Sequence, residues 1–138
     1  MVNVNKRKGS NWEREAAKLL VEKLNGSWKR VIGSGAFGTL MNDPSLTGDI
    51  VGKLNSFPRG FRLEAKVGYG GATQLTIKKE WLDKIKEEAE NTYSIPGLVC
   101  KFSGAHGENK YFIVLDLDTF IELILNSERL WDELNEHD

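Results

Sequence analysis

Residues 48–67 read GDIVGKLNSFPRGFRLEAKV, two short apolar segments separated by a turn. The segments 49–54 and 61–67 have the length and the β-branched and aromatic residues that are typical of strands. Between them lie Asn, Ser, Pro and Gly, the residue types that favour chain reversal. This stretch therefore predicts a β-hairpin, in which the start of the first strand lies beside the second strand.

The segments on both sides of this hairpin extend it into a larger sheet. Ser10 is a suitable N-cap for a helix over residues 11–25, which has a broad apolar face. The pattern further predicts a strand over 28–32, a helix over 77–90, a strand pair over 98–102 and 111–115, and one or two helices from near Asp118, an N-cap candidate. The order α-β-β-β-α-β-β-α indicates an α/β fold with a mixed five-stranded sheet flanked by helices. A chain of 138 residues is long enough for one such domain.

Charge is unevenly distributed along the chain. The net charge is −1, but residues 116–138 hold eight acidic residues and one basic residue. A basic N-terminal arm over residues 1–9 contains Lys6, Arg7 and Lys8. These bases are candidates for contact with DNA phosphate, although a solvated arm and an acidic C-terminal helical region explain the charges equally well.

Signals for a membrane, a disulfide or a zinc site are missing from the sequence. No apolar run is long enough to span a bilayer, and no apolar segment follows the basic N-terminus as in a signal peptide. The lone Cys100 excludes a disulfide framework, and His106 and His137 lie far apart in polar segments. We therefore expect a cytoplasmic protein that has no membrane partner.

Two acidic residues and a lysine of the predicted hairpin point to hydrolytic chemistry. Asp49 opens the first strand, and Glu64 and Lys66 lie two apart on the second, so both point to one face. Converging carboxylates suit Mg²⁺, with Mn²⁺ as a substitute, and the backbone carbonyl of Ala65 is a further candidate ligand. The metal would neutralise phosphate charge and lower the pKa of a bound water, while Lys66 would stabilise developing charge.

A purely structural interpretation also exists for Glu13, for Asp49 and for the Glu64–Lys66 pair, because Glu-x-Lys is common on the solvated face of a strand. Glu13 lies on the inward side of the first helix, where a carboxylate needs a partner such as a metal or its water. Glu13 also completes a capping box with Ser10, and taken alone that interpretation is the better one. Asp49 after a glycine is also typical of a turn. The ordered set of helix acid, Gly-Asp and Glu-x-Lys favours a functional role.

Four segments carry a resemblance to a known family: KGSNWERE at residues 8–15, RVIGSG at 30–35, GDI at 48–50 and LEAK at 63–66. With them the first half of the chain resembles the archaeal-type Holliday junction resolvases, a branch of the PD-(D/E)xK nucleases. The remaining elements match in order only. The resemblance implies a restriction-endonuclease-like fold and one nuclease domain over residues 1–138.

The resemblance also implies roles for individual residues. Metal ligation would come from Glu13, Asp49 and Glu64, with Lys66 catalytic. Arg30 and Ser34 would lie near the scissile phosphate. The implied protein is a homodimer that cuts DNA at a four-way junction, because a two-fold dimer would place one site on each of two strands.

The chain departs from the family pattern in two places. Thr47 and Gly48 precede Asp49 where the family name has a proline. The loop 36–47 contains three large apolar residues, Phe37, Leu40 and Met41. These residues are candidates for docking on a dimer partner, for insertion at the junction centre or for burial within the fold, and the sequence does not rank these roles.

Two further motifs lie beside the predicted site. Residues 33–38 read GSGAFG after a predicted strand, but no helix follows, so we expect no nucleotide cofactor. Gln74 and Lys78 lie around the start of the second helix, where a helix N-terminus favours phosphate. A solvated surface explains these two residues equally well.

Three functions remain open. The first is a metal-dependent endonuclease that resolves four-way junctions. The second is another PD-(D/E)xK nuclease, of a restriction-like, repair or homing type, that acts on duplex or flap DNA. The third is a non-catalytic DNA-binding module, which is disfavoured because the four polar positions are intact. Substrate preference separates the first two, and metal-dependent cleavage excludes the third.

Overall fold

The computed structural model describes residues 4–31, 49–68, 73–104 and 110–136. Within these ranges the chain forms three helices and five strands. In chain order they are α1 (Val4–Lys23), β1 (Ser27–Arg30), β2 (Ile50–Lys53), β3 (Gly60–Val67), α2 (Lys79–Asn91), β4 (Ser94–Lys101), β5 (Tyr111–Val114) and α3 (Leu117–Asn135). In the described ranges, no helix combines the length and the apolar character needed to cross a membrane.

The five described strands form one sheet whose spatial order follows the chain, β1-β2-β3-β4-β5. β2 and β3 pair antiparallel as the predicted hairpin, with Ile50 opposite Leu63. β3 and β4 are parallel, since the chain passes through α2 between them, and the other neighbours are antiparallel. The structure thus confirms the predicted α/β fold with a mixed five-stranded sheet flanked by helices.

Side chains of β3 alternate between the two sides of the sheet. Leu63 and Val67 point toward α1 and pack with its Trp12. Glu64 and Lys66 point to the opposite side, toward α2. The buried core beneath α1 consists of Trp12, Ala16, Trp28, Ile50, Leu63 and Val67, and the core beneath α2 consists of Ile85, Leu98 and Cys100. Because both sides of β3 are covered, two of its three charged residues, Arg62 and Glu64, are buried, and the third, Lys66, is partly exposed.

The first helix extends further toward the N-terminus than the sequence pattern predicts. It begins at Val4, so residues 4–9 of the predicted arm are helical, and Ser10 lies within the helix. The prediction of Ser10 as N-cap is therefore wrong, and with it the capping-box interpretation of Glu13. The segment before Ser10 contains Lys and Arg, which are good helix formers and offset part of the cost of Gly9 within the helix.

The ends of β4 and α3 also differ from the predictions. β4 begins at Ser94 rather than at residue 98 and includes Pro96. Pro96 lies before the segment Leu98–Lys101 that pairs with β5, a place where a strand tolerates a residue without an N–H group. The C-terminal region is a single helix whose N-cap is Asp116, so the prediction of Asp118 as N-cap is wrong by two residues.

Candidate active site

Asp49 is held between β1 and β3 immediately before β2 begins. Its backbone N–H donates a hydrogen bond to the Leu63 carbonyl at 3.0 Å, and its own carbonyl accepts one from Val31 N–H at 2.8 Å. The carboxylate oxygen Oδ2 accepts a hydrogen bond of 2.8 Å from the backbone N–H of Ala65. These bonds fix the carboxylate one residue beyond the Ile50–Leu63 pair, beside Glu64.

Glu64 is a buried carboxylate that lies between two lysines. Its side chain is 11% exposed, and Oε1 lies 3.9 Å from Lys66 Nζ and 4.0 Å from Lys84 Nζ. The other oxygen, Oε2, is buried and has no hydrogen-bond partner among the residues that the structure describes. A buried carboxylate oxygen without a partner is costly, so this atom is suited to a bound cation.

The surroundings of Glu64 favour its protonated form. Burial raises the pKa of Glu64 to about 7, and the second cause of the rise is the charge of the Asp49 carboxylate. Lys84 and Lys66 lower the same pKa in part. A divalent cation bound between the two carboxylates would offset the repulsion that raises the pKa of Glu64.

Lys66 lies on the same side of β3 as Glu64, as the spacing of two predicts. Its Nζ lies 4.2 Å from the centroid of the Trp81 ring on α2, within cation–π range. The side chain is 25% exposed, so the ammonium group is accessible at the rim of the site. The predicted hairpin residues Asp49, Glu64 and Lys66 are thus brought together.

The sequence interpretation did not identify the contribution of α2 to this site. Trp81, Lys84 and Glu88 follow one another at intervals of three and four, which places them on one helical face. Lys84 Nζ lies within 4.0 Å of Glu64 and 3.9 Å of Glu88. The signal was present in that spacing, because a lysine between inward-facing residues of an amphipathic helix points toward the sheet.

Glu13 is paired with Arg30 rather than with the hairpin acids. Its Oε2 accepts a hydrogen bond from Arg30 Nε at 2.7 Å, and the two side chains are 20% and 24% exposed. Side chains along β1 alternate between the two sides of the sheet, so Arg30 lies on the same side as Trp28, the side that α1 covers. Glu64 lies on the other side and faces α2. Among the described residues, no group of three or more His, Cys, Asp or Glu side chains is arranged to hold a metal.

Of the other predicted contact residues, two lie at the surface near the start of α2, and the rest lie outside the described residues or have side chains that the structure does not describe. Gln74 and Lys78 are exposed, and Lys78 Nζ lies 5.7 Å from the centroid of the Trp81 ring. Lys78 is the N-cap residue of α2. Several predictions lie outside what the structure describes: the side chains of Lys6, Arg7 and Lys8, and residues Ser34, Phe37, Leu40, Met41, Gly48, His106 and His137.

Comparison with known proteins assigns this chain to a nuclease family. A family model described as "Phage putative PDDEXK endonuclease" matches residues 4–135. No curated protein sequence matches the chain. A similar solved structure is that of Archaeoglobus fulgidus Hjc, a Holliday junction resolvase from an archaeal hyperthermophile, with 20% identity and a TM-score of 0.48 over 79% of this chain and 84% of that chain. Because the family model matches almost the whole sequence, this chain belongs to the phage PD-(D/E)xK endonuclease family.

Proposed function

We propose that this chain is a metal-dependent DNA endonuclease that resolves four-way junctions as a homodimer. The observation that carries the nuclease part is the buried, unpartnered Oε2 of Glu64 beside Asp49 and Lys66, in a chain of a PD-(D/E)xK endonuclease family. A carboxylate pair with an adjacent lysine suits phosphodiester hydrolysis. A DNA substrate would lie inside a cell, in agreement with the expected cytoplasmic location.

A divalent cation fits the residues that converge here. Asp49 and Glu64 would hold it, and hard oxygen ligands of this kind suit Mg²⁺ or Mn²⁺. The Ala65 carbonyl is a third candidate, since its N–H already fixes the Asp49 carboxylate. When bound, the cation neutralises charge on the scissile phosphate and lowers the pKa of a bound water. Glu13 would join the ligands only after leaving Arg30, so its assignment rests on the family resemblance alone.

The side chains around the carboxylates would orient the phosphate. Lys66 is accessible and shares a face with Glu64, so its ammonium group would donate to a phosphate oxygen as charge develops there. Lys84 would add a second positive charge at the same carboxylate. With its pKa raised to about 7 in the metal-free protein, Glu64 must lose a proton before it binds a cation, so metal affinity is expected to increase as pH rises through that range.

Junction selectivity and the dimer rest on the sequence resemblance. The segments 8–15, 30–35, 48–50 and 63–66 resemble archaeal-type junction resolvases as a set. Such a role needs two sites on one junction, which a homodimer supplies through its two-fold axis. Cleavage of duplex or flap DNA by a related nuclease is the principal alternative.

The test is cleavage of a labelled immobile four-way junction, compared with linear duplex and flap DNA of matched sequence. Wild type is expected to make paired symmetric cuts in the junction with Mg²⁺ or Mn²⁺, but none with EDTA. Glu64→Ala should abolish cutting, whereas Glu87→Ala, at an exposed position of α2, should not. Cutting of duplex or flap DNA instead would contradict the junction assignment and retain the nuclease. Binding without cleavage would contradict both.

Metal binding and the dimer have separate tests. Mg²⁺ should raise the Tm of the wild type relative to EDTA, because a ligand that binds the folded state stabilises it, and the shift should vanish in Glu64→Ala. Sedimentation equilibrium should give twice the monomer mass. A monomer that still makes paired cuts would contradict the homodimer.

A further inference from the structure

We propose that Trp81 of α2 is a positioning residue for the ammonium group of Lys66, an inference that rests on the proposed nuclease function. In this proposal Trp81 acts through Lys66 and does not itself bind the cation or the DNA. The ring limits the positions that the ammonium group of Lys66 can occupy. The ring centroid lies 4.2 Å from Lys66 Nζ, well inside the range at which a cation is attracted by an aromatic face.

The ring holds the lysine without using its hydrogen-bond donors. Glu64 Oε1 lies 3.9 Å from Lys66 Nζ, which is an ion pair but too long for a hydrogen bond. Attraction to the ring is electrostatic and requires no N–H group. In the described part of the chain, therefore, the ammonium group is held from two sides while its N–H donors stay available for a phosphate oxygen.

Without such support a lysine would occupy many positions. Its four-carbon stem has several rotatable bonds, and the side chain is only partly buried, at 25% exposure. A group that acts on a transition state must be held close to its productive position, because a small displacement costs much of the rate. Trp81 is half-buried against the core of Ile85, Leu98 and Cys100, and that packing fixes the ring.

The first test compares substitutions of Trp81 in single-turnover cleavage of the junction with Mg²⁺. Trp81→Leu removes the ring and is expected to slow cleavage about 3- to 30-fold, the range of one cation–π contact. Trp81→Phe keeps an aromatic face and should recover a large part of the rate. The Kd for the junction, measured with Ca²⁺ in place of Mg²⁺, should change less than about two-fold, because the contact acts on positioning rather than on binding.

A matched control separates positioning from loss of packing. Leu82 packs against the same core beneath α2, and no ring contact joins it to Lys66. Leu82→Ala should lower the Tm as Trp81→Leu does, yet leave the single-turnover rate within about two-fold of the wild type. Equal slowing by Leu82→Ala and Trp81→Leu would overturn the proposal, as would equal rates for Trp81→Phe and Trp81→Leu.

A second readout does not depend on catalysis. The Hε protons of Lys66, identified by ¹³C-lysine labelling and by their loss in Lys66→Arg, should show an upfield ring-current shift in the free protein. Trp81→Leu should remove this shift, and Leu82→Ala should keep it. If the shift is present but the wild type cuts no DNA, the nuclease proposal fails while the contact stands. If the shift is absent, the positioning proposal fails whatever the protein cleaves.

Discussion

Glu64 is the residue at which stability and proposed activity conflict. Its carboxylate is buried, has one oxygen without a described partner and lies beside a second carboxylate. Neutral residues would fill the same space at lower cost, since a buried charge without full compensation is destabilising. The cost of burying this carboxylate can be measured as a change of the free energy of unfolding with pH, because the pKa of Glu64 is raised from 4.5 to about 7.

The metal-free protein should lose stability as pH rises from about 4.5 to about 7. In that window the folded state holds a proton on Glu64 that the unfolded state releases, so stability decreases with pH. Glu64→Gln, which stays neutral, should therefore be more stable than wild type at pH 8, by up to about 3 kcal/mol, and nearly equal to it at pH 4.5. Urea unfolding in EDTA at both pH values measures this, with Glu87→Gln as control. A variant that is less stable than wild type at pH 8 would contradict the burial cost.

Glu13 and Arg30 are expected to behave as a coupled pair. Their 2.7 Å hydrogen bond is charge-assisted, but both side chains are about a fifth to a quarter exposed. Solvent screening therefore limits the expected coupling to about 1 kcal/mol. A double-mutant cycle of Glu13→Gln and Arg30→Gln, followed by urea unfolding, measures this term. A coupling energy near zero would mean that the pair adds nothing to the docking of α1 on β1.

At the level of elements, β1 and β2 approach each other closely at one point. Trp28 lies opposite Gly52 across the strand pair, and its ring covers the place where a side chain would begin. A Cβ at Gly52 would lie 2.1 Å from Trp28 Cε3, a distance that the buried ring cannot accommodate without moving. The glycine in the predicted strand 49–54 thus allows a tryptophan to close the core beneath α1.

Gly52→Ala should destabilise the protein strongly, by about 3 kcal/mol or more, because overpacking displaces Trp28 or separates the strands. Gly9→Ala is the matched control, since nothing lies within 4 Å of a Cβ at this helical position. That change should stabilise the protein by up to about 1 kcal/mol through helix propensity. Thermal unfolding of both variants tests the prediction. Equal stability of Gly52→Ala and wild type would contradict the β1–β2 register.

Elements with a strong local pattern could be predicted, and those set by distant contacts could not. The stretch 48–67 combines alternating segments with a turn, and this local pattern alone predicts the hairpin. The hairpin pairing in turn places Asp49, Glu64 and Lys66 close together. The start of α1 at Val4 and the passage of β4 through Pro96 oppose the local signals. The Glu13–Arg30 pair joins residues 17 apart on two elements, so no single segment contains its signal.

At the scale of the whole molecule, the charge distribution should act on DNA at a distance. The acidic residues of α3 follow a sheet and two helices that carry an excess of bases. Glu128 and Glu136 are exposed, and their charge would oppose the approach of DNA phosphate at a distance. Their effect is expected on association rather than on the chemistry of the site.

Glu128→Gln combined with Glu136→Gln should tighten junction binding a few-fold at low salt. The gain should disappear near 0.3 M salt, where screening removes interactions beyond several ångströms. Fluorescence anisotropy with Ca²⁺ across a salt series measures Kd, and the single-turnover rate should stay unchanged. A gain that persists at high salt would indicate a direct contact of α3 with DNA instead of a long-range field.

The burial of Cys100 makes the thiol a reporter on the packing of α2 against the sheet, beside Lys66. It is the one cysteine of the chain, fully buried, and its neighbour across the parallel pair is Lys66. Burial raises the pKa of the thiol to about 11, so almost no thiolate is present at neutral pH. An alkylating reagent would therefore react only when α2 moves away from the sheet and exposes the thiol. The labelling rate would follow that opening, and a cation or a DNA junction that locks the site would slow it.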